Sequence, residues 1–154
     1  MKRTLLLFAA ALPLACSRPQ GLGPPEIVLG QTDCAQCGMT VGEERYAAGL
    51  VLETPAGERV DKVFDDIGCM SAFVQSQHEG KVLARYVKDF NTRQWLAADG
   101  ACYVRGDGIR SPMGYGFAAF RNKADAQSFG AAKSATVLST PATDARPEPS
   151  ASAR

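Results

Sequence analysis

Apolar and polar positions along this chain fall into short runs broken by turn residues, and the runs change period. Tyr46 to Glu53 and Arg59 to Phe64 predict two strands, joined by the turn chemistry of Thr54-Pro55-Ala56-Gly57. Asp65 and Asp66 follow, and side-chain acceptors there suit a helix N-terminus, whose first N–H groups lack partners. Ile67, Met70, Phe73 and Val74 then recur at helical spacing, predicting a helix that runs up to Gly80. Val82 to Phe90 predicts another strand, with Val82, Ala84, Tyr86 and Lys88 on one face. A second half opens with strand-like Gln94 to Ala97 and Ala101 to Arg105, then a loop over Gly106 to Gly114. Gly116 to Phe120 predicts a strand, Lys123 to Ala132 a helix and Ala135 to Leu138 a last strand.

The order strand, strand, helix, strand is thus used twice. Phe64 and Phe73 bracket the first predicted helix, Phe120 and Phe129 the second, nine residues apart in each pair and offset by 56. The expected fold class is α+β: two small similar subdomains packed together, over about 40–90 and 94–138. They lie within a folded part spanning 26–138. Residues 16–25 are rich in Gly and Pro, the composition of a flexible tether. Residues 139–154 are Ser, Thr, Ala and Pro with scattered charges; they bury too little apolar surface to offset ordering entropy, so a disordered tail is expected.

The N-terminus adds an address. Lys2 and Arg3 precede an apolar run from Thr4 to Leu14, the length of a signal-peptide core and short of the roughly 20 residues a membrane-spanning helix needs. The run ends in Leu12-Pro13-Leu14-Ala15-Cys16, which resembles a lipobox with Pro13 in place of the usual Leu. The expectation is a leader over residues 1–15 and a lipid on Cys16. The mature chain would then be a membrane-anchored lipoprotein facing the periplasm. Loss of Lys2 and Arg3 takes two from the 17 basic residues and leaves 15 against 16 acidic ones. That balance excludes a basic nucleic-acid surface or a polybasic lipid patch.

Four cysteines remain beyond Cys16, at positions 34, 37, 69 and 102. Cys34-Ala35-Gln36-Cys37-Gly38-Met39 is the sharpest motif. A structural zinc site calls for a second Cys pair or histidines, and the sequence has one His, His78, which reads as a solvated surface residue. Redox pairs of the thioredoxin type open a helix, whose dipole lowers the thiol pKa. Gly38, Thr40, Val41 and Gly42 are a poor helix start. Met39 points elsewhere: thiolate with thioether is a donor set that selects Cu(I). Of the other methionines in the mature chain, Met70 lies on the apolar helix stripe and reads as core. Met113, in the loop Ser111-Pro112-Met113-Gly114-Tyr115-Gly116, reads equally as a plug of a local gap or as a further donor. Cys69 and Cys102 read as core thiols, the alternatives being a second soft-metal site or a disulfide between them.

Several stretches together resemble the NosL family, accessory lipoproteins of nitrous oxide reductase. They are Asp33 to Met39, Phe64 to Met70, Val87 to Phe90 with Trp95, Ala101 to Val104, and Pro112 to Phe120 followed by a helix. The resemblance spans nearly all of 16–138 and implies two similar small subdomains. It implies one bound Cu(I), with the family's Cys-x-Met falling on Cys37 and Met39 and its Pro-Met-Gly on Met113. Cys34 is left as an alternative ligand or as the partner of Cys37 in a disulfide. The implied role is copper handling rather than catalysis, with delivery to the copper-site assembly proteins of nitrous oxide reductase. Two rivals remain on the residues alone. One is a periplasmic thiol–disulfide oxidoreductase using Cys34 and Cys37. The other is a metal-free interaction module.

Overall fold

The protein is described by a computed structural model covering residues 22–76 and 80–138. The expected leader, Cys16 and most of the tether, His78 and the C-terminal tail lie outside the described residues. Among the described residues no helix is long and apolar enough to cross a membrane.

The turn predicted at residues 54–57 joins β1 (Ala48–Glu53) to β2 (Arg59–Phe64) as an antiparallel hairpin. Gly57 takes the left-handed conformation there, at φ +81°, and donates its N–H to the Thr54 carbonyl at 2.8 Å. α1 (Ile67–Ser76) then carries the chain to β3 (Lys81–Lys88), which pairs with the other edge of β1. The second half repeats this path. β5 (Cys102–Arg105) and β6 (Phe117–Phe120) pair, α2 (Lys123–Lys133) follows, and β7 (Thr136–Leu138) pairs with the free edge of β5. With β4 (Trp95–Ala97) at one edge, the two sheets run β2-β1-β3-β4 and β6-β5-β7, so in each the first strand of the repeat lies inside the sheet. The expected α+β fold of two similar units is what the chain adopts.

The aromatic pairs that suggested the repeat occupy matching places. Phe64 and Phe73 stack at 5.3 Å between ring centroids, Phe120 and Phe129 at 5.1 Å. Each helix start is also capped at the same offset. Asp66 Oδ1 accepts from the Gly68 N–H at 2.8 Å, and Asn122 Oδ1 from the Asp125 N–H at 2.9 Å.

One element departs from the repeat. β4 (Trp95–Ala97), assigned by the sequence pattern to the second half, pairs with β3 and extends the first sheet. Three residues carry too weak a pattern to choose a sheet; the register with Tyr86 to Lys88 makes the choice. Lys88, placed by its spacing on a face with apolar residues, is buried beneath Trp95, 4.4 Å from the ring centroid, and pairs with Glu44.

The two units share a core. Leu50, Leu52, Phe64, Ile67 and Met70 of the first pack with Tyr103, Phe117 and Ala119 of the second. The alternate residues of the second sheet, Val104, Ala118 and Phe120, turn the other way, toward Ala126 of α2. Asp89, just after β3, fastens the units with its carboxylate. Oδ1 accepts from Asn91 N–H, Thr92 N–H and the Thr92 hydroxyl, while Oδ2 accepts from the Arg121 N–H at 2.7 Å.

Candidate metal centre

Residues 33–40 fold as a tight reversal. Asp33 and Thr40 face each other as an isolated antiparallel bridge, and the Thr40 hydroxyl donates to Asp33 Oδ1 at 2.8 Å. Within it the Cys34 N–H donates to the Met39 carbonyl at 2.8 Å and the Gly38 N–H to the Cys34 carbonyl at 2.9 Å. Gly38 sits at φ +75°, a conformation that a residue with Cβ avoids, which explains Gly between Cys37 and Met39. The motif opens no helix, as its glycines predicted. The Ala35 N–H donates to the Val63 carbonyl at 2.8 Å and so pins the reversal to the end of β2.

That attachment lays both thiols of the motif against the start of α1. The sulfur atoms of Cys34, Cys37 and Cys69 and a carboxylate oxygen of Asp65 all lie within 4.8 Å of one another. Cys34 and Cys69 are buried, at 3% and 1% exposure; Cys37 is half-buried. All four described cysteines are free thiols. The Cys37 thiol donates to Asp65 Oδ1 at 3.7 Å.

The electrostatics follow from crowding acids in a dry place. A hydrogen bond from Cys69 stabilises the Cys34 thiolate and outweighs burial, taking its pKa to about 4. The same bond, then burial, pushes the Cys69 thiol far up. Burial pushes the Cys37 thiol up as well. Burial first, then Cys34, raises the Asp65 carboxyl to about 6. The cluster therefore gathers more negative charge than it neutralises, which is the condition that a cation relieves.

The second unit supplies one wall. Asp66, fully buried, spends its second oxygen on the loop before β6: the Ser111 hydroxyl donates to Oδ2 at 2.6 Å and the Met113 N–H at 3.1 Å. Met113 and Cys37 thus hang from adjacent carboxylates, and both pack against the shared core. Tyr115 of the same loop lies on Gly68, where a Cβ would come within 2.1 Å of the ring. Met39 is 56% exposed, at the solvent side of the reversal.

Of the residues singled out by sequence, the fold brings Cys34 and Cys37 together and sets Met113 in the loop held by Asp66. Met70 is fully buried core, as its helical spacing predicts. Cys102 packs with Val104 and Phe120 in the cluster on the far face of the second sheet. Cys69 is buried as expected, yet it is not isolated; it and Asp65 complete the cluster. Although the sequence has neither a second Cys pair nor a pair of histidines, Cys69 and Asp65 thus supply two further potential donors beside the Cys pair. Their spacing carried a signal, since positions four apart at a helix start share one side, but nothing in sequence aimed that side at Cys34.

The chain is thus a two-unit α+β protein with a thiol-rich cluster at the start of its first helix. The chain matches the NosL family over residues 26–144 and belongs to that family. Its fold is similar to that in the crystal structure of the copper chaperone NosL from Shewanella denitrificans, with a TM-score of 0.63 at 20% identity, covering 74% of this chain and 90% of that one. No curated protein matches the chain.

Proposed function

We propose that this protein binds Cu(I) as cargo and hands it on for copper-site assembly of nitrous oxide reductase, working as a periplasm-facing lipoprotein anchored through Cys16. The observation that carries the copper reading is the meeting of three thiols with a methionine-bearing loop, because sulfur donors select a soft monovalent ion. The solved relative is described as a copper chaperone, and family membership supports the same reading here. Cys37 binds as thiolate, and Met39 and Met113 add thioethers. Cys34 stands ready behind it. Half-burial of Cys37 and exposure of Met39 leave the ion open to exchange with a partner's thiolate or imidazole. Partner identity, the periplasmic setting and the lipid anchor come from the resemblance and the N-terminal pattern.

Carriage is favoured over thiol–disulfide catalysis because the lowered thiol, Cys34, is buried while burial raises the more accessible Cys37, the reverse of an accessible attacking thiolate. The test is an anaerobic Cu(I) titration of the reduced chain against a chromophoric competitor. Cys37→Ala should abolish binding at this site, and Met113→Ala should weaken it about tenfold, near 1.4 kcal/mol. An isotherm unchanged by Cys37→Ala would reject the site, and Cys34-dependent disulfide reductase activity would restore the enzymatic reading.

A further inference from the structure

β2 borders the first sheet, and no strand of the described residues pairs with its outer edge. It is the longest of the four border strands, with six residues against three in β4, four in β6 and three in β7. The outer edge of β6 is also engaged, since its Ala119 carbonyl accepts from the Phe90 N–H at 2.8 Å. On β2 the Val63 carbonyl accepts from the Ala35 N–H, and the chain then turns away through the 33–40 reversal. Backbone groups alternate in direction along a strand, so the N–H and C=O of Asp61 point outward with those of Val63. An edge of this kind is a template for one more strand.

A cleft lies on each face of that edge. Lys62 sits opposite Leu50, which faces the shared core, and Asp61 opposite Val51, so Lys62 lies on the α1 side and Asp61 on the other. The α1-side cleft, about 410 Å³, is lined by Leu52, Pro55, Lys62 and Phe73. The opposite cleft, about 590 Å³, is lined by Glu26, Asp33 and Asp61, with Lys62 as its one cation. Asp61 already meets Arg59 at 3.2 Å, which leaves Glu26 and Asp33 to face a visitor. One side of an added strand is therefore offered an apolar surface and the other an acidic one.

We propose that the outer edge of β2 docks an extended segment of a partner protein, which adds a strand, sends apolar side chains into the α1-side cleft and turns basic ones toward Glu26 and Asp33. Main-chain hydrogen bonds to Asp61 and Val63 attach the segment, and its alternate side chains select the partner. Ala35 lines both clefts and Cys34 the acidic one, so a docked strand brings its own protein beside the Cys34–Cys37 motif. The edge is then the face at which the copper recipient is held, and for that role the proposal rests on the copper reading above.

The probe is a capped seven-residue peptide alternating valine with arginine, carrying a fluorophore and titrated by anisotropy into the reduced full chain without copper. It should bind and shift the amide resonances of Asp61 and Val63. Methylating one alternate set of peptide nitrogens should weaken binding about tenfold, the worth of one hydrogen bond, and methylating the other set much less, because only one set faces β2. Asp61→Pro should also weaken binding about tenfold; its N–H faces outward, and proline is tolerated on such an edge. Asp61→Asn, which keeps the N–H, should bind nearly as wild type, and glutamate in place of arginine in the peptide should abolish binding. Should the proline variant fail to fold, the methylated peptides carry the same test. No binding by the folded chain, or equal binding of both methylated peptides and the parent, would overturn the proposal. So would a dimer that Asp61→Pro dissociates, or resonances of 139–154 that Asp61→Pro moves, since the edge then belongs to a second copy or to the chain's own tail. Peptide binding by a chain that takes no Cu(I) would uphold the docking edge and reject the copper reading; Cu(I) binding without peptide binding would do the reverse.

Discussion

At the scale of single residues, two buried carboxylates organise this molecule, and they titrate in opposite directions. Asp66 caps α1 with one oxygen and holds the Ser111–Met113 loop with the other. Burial leads and leaves its pKa above the usual value despite the hydrogen bonds from Ser111, Gly68 and Met113. Removing it strands three donors in a dry site, so Asp66→Ala should cost about 3 kcal/mol in urea unfolding. It should also weaken Cu(I) binding by releasing Met113. Unchanged stability would show that the loop holds itself. Asp89 is nearly as buried, but the hydrogen bonds from Thr92, Arg121 and Asn91 overcome that penalty and hold its pKa below the ordinary range. Its folded value thus lies under the unfolded value of about 3.9. The stabilisation is full above that pH and is lost as pH falls through the folded value. Asp89→Asn should therefore cost about 2 kcal/mol at pH 7 and flatten the acid limb of stability against pH. Parallel acid limbs in the two proteins would refute this.

Between elements, the contact that decides the site is α1 against the loop before β6. Gly68 leaves room for the Tyr115 ring to lie on the helix backbone. A methyl group there meets Cβ and Cγ of Tyr115, atoms close to the backbone that cannot swing aside. Gly68→Ala should therefore destabilise by about 1–3 kcal/mol despite alanine's better helix propensity. It should displace the Met113 loop as well, measurable as a fall in Cu(I) affinity beyond any fall in stability. A gain in melting temperature, the outcome expected of an ordinary helix glycine, would contradict the packing argument.

For the molecule as a whole, the proposed donors belong to both units: Cys37 to the reversal pinned on β2, Met113 to the loop feeding β6. An ion held by both would tie the units together and favour the folded chain over the unfolded one. Free Cu(I) at a hundred times its Kd should stabilise by at most about 2.7 kcal/mol, seen as a rise in the melting temperature of the reduced chain. Met113→Ala should shrink that rise. An equal rise in both proteins would mean that the second unit contributes nothing to the ion.

What the sequence determined by itself was everything carried by local pattern. The strands, the two helices and the repeat follow from periodicity and from the paired phenylalanines, and the 33–40 motif declares its sulfur chemistry through residue type alone. Tertiary structure decided the rest. The sheet that β4 joins depends on register with β3, which no three-residue pattern encodes. Cys69 has the burial expected of a core thiol. What makes it more is the Ala35–Val63 hydrogen bond that carries Cys34 and Cys37 onto the start of α1, beside Asp65. Chemistry is written in residue type, but a site of several ligands is a set of distances, and those are fixed only when distant segments pack.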